Sequence, residues 1–131
     1  MRSFVLNKLV RDKVFTSMQQ LGQQITYRTL TDEEFLPELK KKLLEEAQEF
    51  DGADKDATAE LADLLEVIEQ AGKELGHDFE SLRELQLARR AGRGAFNDRI
   101  FVERLDLADD DPWVTYYAAE PSRFSELHDR P

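Results

Sequence analysis

The chain has 131 residues, a net charge of −10 at pH 7 and no cysteine, and its 40% apolar and 35% charged residues are typical of one globular domain. The negative charge argues against binding to nucleic acid or to anionic membranes, although a small polyanion can bind where a metal ion or a local basic cluster offsets the repulsion. The absence of cysteine excludes disulfides, zinc–thiolate sites and thiol nucleophiles.

The first predicted elements are a short helix and a short strand. Apolar residues recur at helical spacing over residues 7–21, and Gly22 follows as a stop signal. Residues 25–30 are rich in β-branched and aromatic side chains, which favours a strand. Basic residues from Lys8 onward interrupt the apolar start too early for a signal peptide, so we expect a cytoplasmic protein.

Two long helices are predicted in the middle of the chain. Thr31 and Glu34 form a capping-box pattern, so one helix should begin at residue 32 and end near Gly52. A short polar connector at 53–56 precedes a second helix, which should end before Gly76. The expected core stripes are Leu36, Leu39, Leu43, Ala47 and Phe50 on the first helix and Ala57, Leu61, Leu64, Leu65, Ile68, Ala71 and Leu75 on the second.

The last third of the chain contains one more predicted helix, a candidate strand and a tail. The helix should begin after Asp78, a candidate N-cap, and end near Gly92. Residues 100–102 are a candidate second strand that would pair with the first. From residue 106 to 131 the apolar pattern stops, and two interpretations stay open: this tail is disordered, or it docks through its aromatic residues.

These elements predict an all-α fold, an antiparallel helical bundle built on a central helix hairpin, with two short β-strands at most. Residues 1–105 would form the domain.

Four acidic residues on the hairpin are the candidate site. In a hairpin, positions equidistant from the turn face each other, so Glu46 should face Asp63 and Glu49 should face Glu60.

The convergence of four carboxylates indicates a metal site open to phosphate. Like charges this close repel unless protons or a cation bind. Magnesium prefers carboxylate oxygens and shares its shell with substrate phosphates. Each acidic pair taken alone fits a solvated helix face better, since 28 residues of the chain are acidic, but their mirrored placement beside the apolar stripes favours a site.

Two neighbours of the acidic residues have simpler interpretations as well. Lys42 lies four residues before Glu46, where its ammonium group would contact either a carboxylate or a phosphate, and both interpretations stay open. Glu45 should point elsewhere on the helix, exposed or paired with Lys41.

The motifs resemble those of the all-α nucleoside triphosphate pyrophosphohydrolases, the superfamily of MazG-like and phosphoribosyl-ATP pyrophosphohydrolase-like proteins. Their ExxE and ExxD motifs are similar to Glu46-Ala-Gln-Glu49 and Glu60-Leu-Ala-Asp63. Residues 7–13 (NKLVRDK), residues 93–96 (RGAF) and Arg99 with its following isoleucine resemble a small single-domain branch. The resemblance covers residues 4–104 and leaves the tail unmatched.

The resemblance implies magnesium-dependent cleavage, with manganese as an alternative ion, between the α and β phosphates of a nucleotide. The implied catalytic residues and metal ligands are Glu46, Glu49, Glu60 and Asp63. The resemblance implies that Lys8, Arg11, Arg93 and Arg99 bind the phosphates, although ordinary surface charge or pairing with an acidic residue stays open for each. Lys42, from its position on the helix, completes the set of candidate substrate-binding residues. Members assemble as homodimers or homotetramers, and Leu44 and Val67 are apolar positions expected to be exposed for such an interface. Base and sugar preference stay open.

Two rival functions remain. A non-catalytic helical dimerisation or adaptor module would use the acidic patch to bind a cation or a basic partner, but the intact ExxE and ExxD motifs argue against it. A hydrolase specific for phosphoribosyl-ATP is the other, and the basic N-terminal motif favours a general nucleotide substrate instead.

Overall fold

The computed structural model describes residues 1–128, and helices are the regular structure of this part of the chain. The predicted all-α class is confirmed. The helices are α1 (Asp12–Gln20), α2 (Asp32–Gly52), α3 (Ala57–Glu74), α4 (Phe79–Arg93) and α5 (Val114–Ala118). The chain divides into two compact units, Met1–Gly94 and a second that begins at Ala95. Within residues 1–128, no helix combines the length and the apolar character needed to cross a membrane.

Helix α1 begins five residues later than predicted. Asn7 has a φ of 47°, a left-handed conformation that a right-handed helix does not contain. The segment that follows is not helical, and its basic side chains reach across to α2 and α3 instead. The end of the helix is as predicted, because Gly22 adopts a φ of 75°, which glycine tolerates without strain.

Both predicted strands are wrong, since residues 25–30 and 100–102 form no strand and residues 1–128 contain none. A strand requires a neighbour that pairs with its backbone groups. The side chains of the first segment contact helices instead. Tyr27 packs edge-on against Phe15 of α1 with ring centroids 4.5 Å apart, and Arg28 binds Glu34 of α2.

The predicted capping box at the start of α2 is confirmed. The backbone N–H of Thr31 donates to Glu34 Oε1 at 3.2 Å, and the Thr31 hydroxyl lies 3.1 Å from the same oxygen. Arg28 adds a two-pronged contact, with Nη1 2.8 Å from Oε1 and Nη2 on Oε2. The Arg28 guanidinium, followed by the Thr31 backbone N–H, lowers the pKa of Glu34 to about 2.

Helices α2 and α3 pack side by side across the connector at 53–56, as predicted, but their core is small. Leu39 is 5% exposed and Val67 is 8% exposed, and these are the buried apolar side chains of residues 1–128. The prediction that Val67 is exposed is therefore wrong. The inward stripe of α3 contains Leu64, Val67, Ile68 and Ala71, whereas Leu61, Leu65 and Leu75 of the predicted core are exposed.

Helix α4 has the predicted bounds and packs against α3. Asp78 caps it by accepting a hydrogen bond from the Ser81 N–H at 2.8 Å. Gly72 lets the two helices approach, because a Cβ there would lie 3.3 Å from the carbonyl oxygen of His77.

The second unit contains α5, which was not predicted. Around it four aromatic residues contact one another, mostly edge to face, namely Trp113, Tyr116, Tyr117 and Phe124. The last three residues of the predicted tail, 129–131, lie outside the described residues.

Replacing Glu34 with glutamine should lower the melting temperature at pH 7 by about 3 °C, because it removes the capping carboxylate. The folded-state pKa of Glu34 is depressed from 4.5 to about 2, so its stabilising contribution is complete above pH 4.5 and is lost as the pH falls toward 2. The difference in melting temperature between variant and parent should therefore become smaller as the pH falls from 4.5 toward 2. Thermal unfolding measured from pH 7 downward tests this.

Glu33→Gln is the matched control, since Glu33 lies in the same helical turn and has no ion pair within residues 1–128. Equal losses in the two variants, or a Glu34→Gln deficit that does not change with pH, would contradict the prediction.

Candidate metal centre

Three carboxylates converge where α2 and α3 face each other. Glu46 and Glu49 on α2 and Glu60 on α3 each contribute one oxygen, and these oxygens lie within 4.8 Å of one another. We call these three residues the carboxylate cluster. The i, i+3 spacing on α2 puts two of them on one helix face, and the short connector brings the third opposite. The structure therefore brings together three of the four carboxylates that were predicted to converge.

Asp63, the fourth predicted carboxylate, borders the cluster but binds a basic side chain. Its Oδ1 accepts a hydrogen bond from Arg11 Nη1 at 3.1 Å. It is still close enough to the cluster that its charge contributes to raising the pKa of Glu46 and Glu60. Asp63 therefore belongs to the same electrostatic site, with Arg11 as its partner.

Two oxygens of the carboxylate cluster are buried without a partner. Within residues 1–128, neither Glu46 Oε2 nor Glu60 Oε2 has a hydrogen-bond donor. Glu46 is only 8% exposed. Burial, and after it the charge of nearby Glu49, raises the pKa of both Glu46 and Glu60. Burying a carboxylate oxygen that lacks a hydrogen-bond donor costs free energy, and binding of protons or a cation would reduce that cost.

Glu45 holds two lysines beside the cluster, and its expected exposure or pairing with Lys41 is wrong. Its Oε1 lies 2.8 Å from Lys8 Nζ and 3.4 Å from Lys42 Nζ, while Lys41 binds Glu38. The hydrogen bond between Glu45 and Lys8 lowers the pKa of the carboxyl group and raises that of the ammonium group. The spacing of Lys42 and Glu45 signals their contact, but no local pattern signals the contact with Lys8.

Lys42 also reaches the cluster directly, with its Nζ 3.5 Å from Glu46 Oε1 and its side chain only 16% exposed. The carboxylate contact left open for Lys42 is therefore present. Together with Lys8 and Arg11, it forms a group of three basic side chains next to the cluster, which we call the basic rim.

The two other predicted substrate-binding residues lie elsewhere along the chain. Arg93 is the last residue of α4 and is exposed. Arg99 belongs to the second unit, where it adopts a φ of 57° and its N–H donates to the carbonyl of Phe96 at 3.1 Å.

A cavity of about 580 Å³ adjoins the cluster, between residues 9–14 and helices α2 and α3. Glu46 and Asp63 line one part of it, next to Lys42 and Arg11 of the basic rim. Its apolar wall consists of Leu9, Val10, Val14, Phe35, Leu39 and Val67. Sequence analysis missed this cavity, although Phe35, Leu39, Lys42 and Glu46 follow one another at helical spacing.

No protein-family model, no curated protein and no solved structure matches this chain. Its function must therefore be inferred from the arrangement of its own side chains.

The donor set of the site fits a hard divalent cation. All of its candidate ligand atoms are carboxylate oxygens, which magnesium and manganese accept readily, and two of these oxygens lack a partner within residues 1–128. The residues that would hold the ion are the three of the cluster together with Asp63.

Replacing Glu60 with glutamine should stabilise the metal-free protein at pH 7, raising the melting temperature by about 2–4 °C. The folded-state pKa of Glu60 is raised above 4.5, so its ionisation destabilises the fold above that pH and not below it. The gain should therefore disappear as the pH falls to 4.5. With magnesium the parent should have the higher melting temperature, because binding of the ion stabilises the parent and not the variant.

Thermal unfolding measured in chelator and in magnesium tests both predicted differences in melting temperature. Glu69→Gln is the control on the same helix. Glu69 pairs with Lys73 at 4.0 Å, and the variant should keep the magnesium response of the parent. A Glu60→Gln variant that melts below the parent in chelator, or that retains the full magnesium shift, would show that the cluster is not a repulsive cation site.

Proposed function

We propose that the protein is a magnesium-dependent nucleotide pyrophosphohydrolase. It cleaves a ribo- or deoxyribonucleoside triphosphate, or a related nucleotide, between the α and β phosphates. The observation that supports this best is that the basic rim lies beside the carboxylate cluster, two of whose oxygens have no hydrogen-bond donor within residues 1–128. Carboxylates alone suit a cation, whereas carboxylates next to ammonium and guanidinium groups suit a cation bound together with a polyphosphate.

In this proposal Glu46, Glu49, Glu60 and Asp63 hold magnesium. The bound ion supplies charge neutralisation at the phosphates and lowers the pKa of a water molecule. The ligand atoms that have no hydrogen-bond donor within residues 1–128 are Oε2 of Glu46 and Oε2 of Glu60. Asp63 becomes available when Arg11 leaves its carboxylate.

The basic rim binds the phosphate chain. The planar guanidinium of Arg11 offers two parallel donors, which match two phosphate oxygens. Glu45 keeps Lys8 and Lys42 beside the cluster, and its charge favours the protonated form of Lys8, as the raised pKa of that ammonium group shows. Arg93 and Arg99 stay predicted phosphate contacts from the resemblance.

Hydrolysis adds one water molecule across the phosphoanhydride bridge. The bond between the bridging oxygen and one phosphorus breaks, a P–O bond to the water oxygen forms, and the products are a nucleoside monophosphate and pyrophosphate. The protons of the water are shared between the products and solvent, so no further reactant is needed.

We also propose that the chain works as a homodimer or homotetramer. On α2, Leu44 is 66% exposed, as predicted, and on α3 Leu61 and Leu65 are 46% and 52% exposed. Leu44 and Leu65 are equidistant from the turn and therefore lie at the same level along the hairpin. We call these three exposed leucines the apolar face of the hairpin. Exposed leucines on both helices of a unit with so small a core favour contact with a second copy.

The hydrolase proposal predicts magnesium-dependent release of monophosphate and pyrophosphate from at least one triphosphate. Glu49→Gln should lower kcat/KM by about 100-fold or more, because it removes one carboxylate oxygen from the metal shell. A panel of canonical and modified nucleoside triphosphates, incubated with magnesium or with chelator and separated by anion exchange, measures this.

Glu33→Gln, the same change at an exposed position of the same helix, should retain the activity of the parent. Turnover that survives chelator, or that is equal in Glu49→Gln and the parent, would contradict the proposal. Magnesium-dependent thermal stabilisation without turnover of any substrate would favour the adaptor module instead.

The oligomer proposal predicts that Leu65→Lys reduces the assembly to a smaller species, because a buried ammonium group without a partner is strongly unfavourable at an interface. Light scattering coupled to size exclusion gives the mass. Leu21→Lys is the control, since Leu21 is exposed at the end of α1, outside the apolar face of the hairpin. A monomeric parent at micromolar concentration would contradict the proposal.

A further inference from the structure

The cavity next to the carboxylate cluster is larger than phosphate binding requires. Its volume of about 580 Å³ lies within the range of about 300–1,000 Å³ that is typical of small-molecule sites. Part of its wall is charged, with Arg11, Lys42, Glu46 and Asp63, and part is apolar, with Phe35, Leu39 and Val67 among the lining residues. It therefore suits a ligand that combines an anionic group with an apolar part that also forms hydrogen bonds.

The cavity extends away from the carboxylate cluster along both helices. Along α2, the lining residues run from Phe35 to Glu46, which are about 16 Å apart along the helix axis. Along α3, they run from Asp63 to Gln70, about 10 Å apart. Because the two helices run in opposite directions, Phe35 and Gln70 lie at the same end, away from the cluster.

We infer that this cavity receives the sugar and base of the nucleotide whose phosphates lie at the carboxylate cluster, and that Glu66 and Gln70 select a base with an exocyclic amino group. The inference rests on the proposed function and names the substrate class of that site. The base of a nucleotide is one sugar away from its α-phosphate, and Glu66 and Gln70 follow Asp63 along α3 in the lining of the cavity.

The selectivity follows from the hydrogen-bonding character of the two polar residues on α3. Glu66 and Gln70 are one helical turn apart, and both line the cavity beside Val67. An ionised Glu66 carboxylate only accepts hydrogen bonds, whereas the Gln70 amide both donates and accepts. An amino group with an adjacent ring nitrogen, as in cytosine or adenine, satisfies both residues. A keto oxygen in place of the amino group faces the lone pairs of Glu66.

The experiment compares two pairs of substrates that differ at this group, cytidine with uridine triphosphate and adenosine with inosine triphosphate. The parent should show a kcat/KM at least about tenfold higher for the amino member of each pair. Glu66→Gln should remove most of that preference, because glutamine presents a donor as well as an acceptor. Glu69→Gln, on the same helix and outside the lining of the cavity, should keep it.

A binding measurement separates this inference from the proposed function. Magnesium with inorganic triphosphate probes the phosphate end without a base, and isothermal titration should give the parent and Glu66→Gln the same affinity for it. Phe35→Leu, which keeps an apolar wall and loses the ring, should weaken the binding of cytidine triphosphate and leave inorganic triphosphate unchanged.

Each outcome decides the inference. Hydrolysis without a preference for amino bases, or with a preference that Glu66→Gln leaves intact, would overturn it while the proposed function stands. If no triphosphate is hydrolysed, the proposed function fails. In that case tighter binding of cytidine triphosphate than of inorganic triphosphate, reduced in Glu66→Gln, would still support the base subsite, and equal binding would overturn it.

Discussion

Repulsion within the carboxylate cluster is the constraint on which the rest of the first unit depends. Packing α2 against α3 brings Glu46, Glu49 and Glu60 together, and two of their oxygens lack a hydrogen-bond donor within residues 1–128. The buried apolar side chains that oppose this repulsion are few, with Leu39 and Val67 at the centre. Repulsion between these carboxylates destabilises the hairpin. A cation bound between them would attract each carboxylate and so stabilise the folded state.

The basic rim explains why the segment before α1 is not helical. Lys8 and Arg11 bind Glu45 and Asp63 across 37 and 52 positions of sequence, and a helix through these residues would have to break both contacts. Exposed ion pairs of this kind contribute at most about 1 kcal/mol each. They therefore position the segment without holding it firmly, and a phosphate oxygen can replace a carboxylate oxygen as the partner of either side chain at little cost.

Local signals in the sequence predict most of the helical fold, and contacts between distant residues account for the errors. Glycine stops, the N-cap at Asp78 and the capping box place the helix ends within a few residues, because each acts within one turn. The strand predicted at 25–30 fails because no second strand within residues 1–128 pairs with its backbone, and Tyr27 contacts a ring on α1 instead. In the site, spacing across the turn predicts the convergence of the acids, whereas nothing in the local pattern of Asp63 reveals Arg11 as its partner.

The hairpin presents two unlike faces, and they depend on each other. At about 100° per residue, Leu44 lies about 160° around α2 from Glu46, so the exposed apolar face points away from the carboxylate cluster. Apolar surface buried on that side stabilises the α2–α3 pair by about 25 cal/mol per Å². In the proposed oligomer, a second copy covering this face would supply stability that the small core lacks, and would help keep Glu60 opposite Glu49. Assembly on one face of the hairpin would thus offset part of the repulsion between the like charges on the other face.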